Sequence, residues 1–373
     1  MKSQKIISAI FFLTPIVVSI LYLVFFRSLV EKSYYDQAPG WFSEMVEAVY
    51  PRFEVEKERF ELSFFQNKAD QIVIRFGLVS LFLALLAFKN TQSRLFSYYS
   101  RPLSKRHFNA LYYIFYLGLL AYTWDWYQDF PQLTRMSDFY QGVHIFRWIG
   151  LDILNLKTFY VLFAAYLLSL LLVLLKIKNV LFSGLLALLL VLFQGYFFSF
   201  EKIQHSYTTL TYASLLMPFL IFEKKVQATS VSLSFGLFLI QLCIASAYFL
   251  AGLEKILVSG FNWASAETFR TYIQLHQQPW GMAVADSEFL SHVLPWCGLL
   301  LQLGFISILF SKKASYAILP LGILFHWGTR LLMGIGSFFS TWIFVYIFFL
   351  NWDKIVLKLS SKLSSVRKSK NGR

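Results

Sequence analysis

The sequence predicts an all-α fold, a polytopic transmembrane helix bundle of about 8–10 spans with cytoplasmic N- and C-termini, and three observations predict it. Hydrophobic residues make up 57% of the chain and charged residues only 14%, whereas a soluble domain carries about 25% charged residues. Runs of roughly 20 apolar residues, the length that crosses a ~30 Å hydrocarbon core, recur along nearly the whole chain. Basic residues also collect on alternate connections, as the positive-inside bias requires.

Taken in order, the spans fall near 6–26, 72–88, 108–122, 158–175, 180–200, 207–222, 231–253, 289–310, 316–333 and 338–351. The third and the last are short for a membrane-crossing α-helix. The first follows the basic start Met-Lys-Ser-Gln-Lys, but its apolar run is long and lacks a small-x-small cleavage site. It reads as a retained helix and not a signal peptide. Neither end carries a lipidation motif. With the N-terminus inside, the inner segments hold 20 of the 34 lysines and arginines, and the tail from 352 alone holds seven. The net charge of +14 therefore encodes orientation in the bilayer, with attraction of the basic tail to anionic lipid. No basic stripe interleaves with exposed aromatics, so nucleic acid is not an expected partner.

Three regions follow: an N-terminal two-helix part, 1–107, with an outer amphipathic loop; a main transmembrane domain, 108–351; and a basic cytoplasmic tail, 352–373. In the outer segment 27–70, Phe42, Met45, Val46 and Val49 alternate with Glu44 and Glu47 at helical spacing before Pro51, which predicts a short helix lying on the membrane surface. The outer segments 123–157 and 254–288 are long and rich in Trp, Tyr, His and charged residues, while the inner connections are short. A working face would therefore be the outer one. The Ser/Lys-rich end of the tail has the composition of a disordered segment.

Candidate chemistry begins at Lys255, placed at the outer end of the seventh span after the small residues Ala245, Ser246, Ala247, Ala251 and Gly252. Such a lysine fits two readings: a snorkelling anchor, or a side chain turned into a protein-lined pocket by tight helix packing, where a desolvated amine can act as a base. Glu254 precedes it but lies about 100° round the helix. His205, in the short outer turn before the sixth span, sits at about the same depth, as an incidental turn residue or as a partner of Lys255. His326 and Arg330 in the ninth span share a helix face at i, i+4. They read as a structural polar stripe or as pocket-lining groups, with Gly334-Ile335-Gly336 breaking the helix just beyond. Cys243 and Cys297, inside spans, are free thiols or a redox pair. The six histidines show no HExxH or HxxxH spacing, so no metal is predicted. No GxGxxG, Walker or GxSxG motif appears, and no inverted repeat of broken helices.

Three segments together resemble one family. Tyr248-Phe249-Leu250-Ala251-Gly252-Leu253-Glu254-Lys255-Ile256, His205-Ser206-Tyr207, and His326 followed by Gly334-Ile335-Gly336-x-Phe338 resemble, in order and spacing, motifs of the vitamin K-dependent gamma-carboxylase and its bacterial relatives, the HTTM membrane proteins. The likeness covers roughly 108–350 and makes 108–351 the carboxylase-like domain. It implies a bacterial inner-membrane protein whose site opens outward. In the carboxylase, the motif lysine deprotonates vitamin K hydroquinone, and the product of its reaction with oxygen abstracts a glutamyl gamma-proton. Carried over, Lys255 is the base and His205 its hydrogen-bonding partner, with His326, Arg330, Gly252 and Trp263 around a reduced quinone, either menaquinol or vitamin K hydroquinone. The carboxylase's large lumenal domain has no counterpart, Glu254 is a departure, and the first two spans have no equivalent, so peptide carboxylation itself is not implied. The alternative is a non-enzymatic membrane factor for maturation or export of a secreted peptide or lipid.

Overall fold

A computed structural model describes residues 13–50, 53–87, 102–143, 145–200, 207–227 and 231–371. It is all-α apart from one two-stranded pairing among these residues, and five helices are long and apolar enough to cross a membrane. The chain is a multi-pass integral membrane protein. Contacts divide it into two units, Met1–Tyr98 and Tyr99–Arg373.

In the first unit, α1 (Leu13–Tyr34) runs past the expected end of the 6–26 span, whose first residues lie outside the described ones. The helix carries Arg27, Glu31 and Lys32 in its last turns and ends where Asp36 takes a left-handed conformation (φ 58°). Of these, Arg27 finds a partner in Asp70. Asp70 accepts from the Tyr22 hydroxyl at 2.6 Å and lies 3.8 Å from the Arg27 guanidinium. The expected surface helix is α2 (Gly40–Val49), with Phe42 buried and Trp41 and Met45 exposed. It is followed by α3 (Phe53–Lys57) and α4 (Leu62–Ala87). Buried Phe65 joins these pieces, its ring 4.9 Å from Phe53 and 5.7 Å from Tyr34. Lys57 bridges Asp36 and Glu54. The Asp36 hydrogen bond pushes the Lys57 pKa up, so the clamp is charged through neutral pH and is lost only as pH rises past that raised value.

The second unit opens with β1 (Pro102–Ser104) and α5 (Lys105–Leu133). Residues 108–122 were expected to be a short span, yet α5 is 29 residues long. It continues into the outer segment because its aromatics pack as they emerge. Phe130 is fully buried and stacks on Phe159 with ring centroids 3.5 Å apart, and Trp124 stacks on Tyr127 at 5.6 Å. Next come α6 (Leu156–Leu174), whose first turn is capped by Asn155 accepting from the Thr158 N–H at 2.9 Å, and α7 (Asn179–Phe198). After α8 (Thr208–Gln227) and β2 (Val231–Leu233), α9 (Phe235–Ser259) carries the motif lysine. Successive helices joined by short connections pack side by side, α6 to α9 in order, as short loops require of antiparallel neighbours. Buried tyrosines satisfy their hydroxyls across helices: Tyr116 with Ser183, Tyr166 with Thr123, and Tyr112 on the Val173 carbonyl.

At the inner end, β1 pairs antiparallel with β2, and Glu223 of α8 holds the start of α9. Its carboxylate accepts from the Phe235 and Gly236 N–H groups at 2.7 and 2.9 Å and from the Ser234 hydroxyl at 3.0 Å. The Gly236 backbone can come this close because a Cβ there would lie only 2.9 Å from Leu220 Cα. Glu223→Ala removes three acceptor contacts from the first turn of a central helix. It is expected to destabilise the protein by about 1–3 kcal/mol, read as a lowered thermal midpoint in nanodiscs. An unchanged midpoint would show that the cap contributes nothing.

Outer helices α10 (Ala266–His276) and α11 (Pro279–Ala285) lead into α12 (Glu288–Gly304) and then α13 (Lys312–Met333). The final expected span, 338–351, takes an unexpected form. Thr341–Phe344 is α-helical and Val345–Phe349 is a 3₁₀-helix, buried among α5, α8 and α9. Contacts trace it along α5: the Tyr122 hydroxyl donates to the Phe339 carbonyl at 2.7 Å, Phe115 meets Phe348 at 5.4 Å, and the Ser104 hydroxyl donates to Asp353 at 2.5 Å. Residues 104 to 122 of an α-helix cover about 27 Å, whereas residues 340 to 353 would cover only about 20 Å as an α-helix. The 3₁₀ turns, with a larger rise per residue, and extended Leu350 (ψ 147°) recover about 4 Å of the difference. Gln241 donates to the Phe348 carbonyl at 2.7 Å, meeting the need of non-helical backbone at membrane depth for a protein partner.

The tail departs from its expected disorder. Trp352–Asn371 forms a helix, α14, started by the Asn351 side chain accepting from the Lys354 N–H at 3.2 Å. A capping residue before a run rich in Lys and Leu outweighs the polar composition.

Candidate functional site

Helix α9 places Tyr248, Gly252 and Lys255 on one face. Lys255 is seven residues past Tyr248, about 20° short of two turns and about 10.5 Å along the axis. Tyr248 is buried close to the middle of α9, at the depth where an unpaired hydroxyl is most costly. Its oxygen lies 2.6 Å from His326 Nε2 on α13 and 2.8 Å from the Tyr346 hydroxyl in the 3₁₀ segment. With a neutral imidazole accepting at Nε2, Tyr248 donates to it and accepts from Tyr346, so the three groups satisfy one another. Aromatic walls fix the cluster: Phe305 stacks on Tyr248 at 4.0 Å and 7°, and Trp342 meets Tyr248 edge-on at 4.9 Å and lies over His326 at 6.1 Å. Gly322 makes room for it, since a Cβ there would overlap the Tyr346 hydroxyl.

Two turns outward, Lys255 is half-buried. Its ammonium sits over the Trp263 ring, 4.7 Å from the centroid, and 3.5 Å from the Ala251 carbonyl. Between the two levels, buried Gly252 lets α12 approach. A Cβ there would lie 3.0 Å from Gln302 Cβ and 3.1 Å from Leu303 Cδ2. The face thus runs from a partly accessible cation to an enclosed Tyr–His–Tyr cluster.

The sequence candidates separate on this geometry. Lys255, Gly252 and Trp263 fall together, and His326 joins Tyr248. Arg330 does not enter the cluster: its guanidinium is exposed and donates to the Gly334 carbonyl at 2.8 Å, closing its own helix, which ends at Gly334 in a left-handed conformation (φ 70°). His205 lies outside the described residues. Cys243 and Cys297 are both free thiols, the first half-buried and the second exposed. Among the described residues, no three His, Cys, Asp or Glu side chains gather to hold a metal ion. Sequence reasoning gave no role to Tyr248, Tyr346, Gln302 or Trp342. The only signal for Tyr248 was its place in the quoted motif, seven residues before Lys255.

The fold and site define a helical, multi-pass membrane protein with a hydrogen-bonded polar cluster enclosed at mid-depth. Comparison of the chain with family models, with curated proteins and with solved structures returns no match.

Proposed function

We propose that this chain is a carboxylase-like membrane protein of the HTTM type that acts on a reduced, lipid-soluble quinone, menaquinol or vitamin K hydroquinone, in the outward half of the bundle. The observation that carries the reading is the convergence of two segments of the resemblance, 78 residues apart: Tyr248 bonds His326, and Lys255 projects from Tyr248's own helix face. When bound, the quinol supplies hydroxyl protons and reducing electrons. Lys255, as a neutral amine, takes a proton from a hydroxyl oxygen; that O–H bond breaks as an N–H bond forms on Nζ. The Trp263 face then stabilises the resulting ammonium by about 1–2 kcal/mol. Tyr248, His326 and Tyr346 form the polar floor, and Phe305 and Trp342 keep water from it. A partly exposed lysine above an enclosed floor suits a ligand whose ring enters from lipid while its reacting oxygen meets the base.

The test is hydroquinone oxidation by purified protein in lipid nanodiscs, with oxygen, following epoxide formation from menaquinol and from vitamin K hydroquinone. Epoxide from wild type and none from Lys255→Ala supports the reading; none from well-folded wild type defeats it. A second reading, a non-enzymatic factor that holds a secreted peptide or lipid for maturation or export, draws on Leu275, Trp280 and Phe289, each at least 70% exposed on the outer helices. Co-purification of a peptide or lipid that is lost in Trp280→Ala would favour it.

A further inference from the structure

Gln302 stands out among the polar groups of the bundle. It is only 6% exposed, and its side-chain oxygen has no hydrogen-bond partner, a deficit of about 1–3 kcal/mol for a buried acceptor. Its position is set by two contacts. Gln302 Cβ packs against the open side of Gly252, and Phe305, one turn inward on the same chain, stacks on Tyr248. Gln302 therefore lies level with Gly252, between the Tyr248 cluster and Lys255, on the helix facing them. Two other buried amides of the bundle are paired: Gln241 donates to the Phe348 carbonyl and Gln194 accepts from Thr211.

Resting on the quinol reading above, we infer that Gln302 is a binding residue of that site, its side-chain oxygen accepting a hydrogen bond from a quinol hydroxyl. The chemistry gives the site a redox preference. As oriented, Gln302 presents its unpaired oxygen, to which a quinol hydroxyl can donate; a quinone carbonyl only accepts, and pairs with this side chain only if the amide turns to offer its N–H. Gln302 therefore favours the reduced form and helps release the oxidised one.

The test is anaerobic calorimetric titration of menadiol and of menadione into nanodisc-embedded wild type, Gln302→Met and Gln302→Leu. Methionine keeps the length and volume without the acceptor. Wild type should bind menadiol about tenfold more tightly than menadione, the worth of one good hydrogen bond. Both variants should lose that preference, with thermal midpoints equal to or above wild type, because an unpaired buried acceptor has been removed. Equal menadiol affinity in wild type and in the variants, or no preference for menadiol in wild type, overturns the role of Gln302 while leaving the quinol reading standing. Absence of binding to wild type by either compound overturns both.

Discussion

Lys255→Arg is expected to leave a folded protein that has lost at least about 100-fold of its quinol-oxidation rate, close to the loss in Lys255→Ala, because a positioned base contributes about 10²–10⁴-fold. The substitution separates the two roles open to this side chain. Arginine keeps the positive charge, the long apolar stem and the ability to lie over the Trp263 ring, where the lysine ammonium now sits 4.7 Å from the centroid. As an interfacial anchor it would serve as well as lysine. A guanidinium stays protonated in proteins, so it cannot take a proton from a hydroxyl. Full activity in Lys255→Arg would make Lys255 an anchor and remove the proposed base, and the thermal midpoint, expected within about 1 kcal/mol of wild type, separates loss of chemistry from loss of fold.

Gly322→Ala should be a strongly damaging small substitution beside the Tyr248 cluster. Its methyl group overlaps the Tyr346 hydroxyl, so the Tyr346–Tyr248 bond breaks, and the 3₁₀ segment must move against α5, α8 and α9. Overpacking costs about 1–3 kcal/mol and a buried unpaired hydroxyl a similar amount. Against these, alanine gains up to about 1 kcal/mol of helix propensity over glycine, for a net loss of about 1–6 kcal/mol. Gly328, six residues along the same helix, has nothing within 4 Å of a Cβ. Gly328→Ala should therefore keep or slightly raise the thermal midpoint, by the propensity gain alone. Equal midpoints for the two variants would mean that the Tyr346 contact does not matter to the fold.

Much of this architecture is legible in the sequence, for a physical reason. Lipid forces long apolar runs and asymmetric charge on any spanning helix, so the spans at 158–175, 180–200, 231–253 and 289–310 stand out wherever the helices fall. Where neighbours decide, the pattern fades. The sequence ends the first helix too early, at 26 and not 34, because Asp70, far along the chain, partners Tyr22 and Arg27. It stops α5 at the expected membrane surface because the stacking of Phe130 on Phe159 has no local signature. A hydrophobic run at 338–351 reads as an α-helix, although packing along α5 holds it as a short α-turn, a 3₁₀ stretch and extended Leu350. The same holds at the site. Lys255 and His326 are conspicuous because ionisable groups are rare in spans, while Tyr248, Tyr346 and Gln302 are ordinary residues until α9, α12, α13 and the 3₁₀ segment bring them together. Arg330 looked equivalent to His326 from its spacing, and only the turn at Gly334 shows that it serves its own helix end.

The central claim is that a quinol binds within reach of Lys255 and Gln302, beside the Tyr248 cluster, and photoaffinity labelling tests it most directly. A reduced azido-quinone, irradiated anaerobically with wild-type protein in nanodiscs and mapped by mass spectrometry, should label the stretches 248–263 and 299–305, with excess menaquinol suppressing the label. Labelling confined to other helices, or labelling that menaquinol does not diminish, would contradict the account.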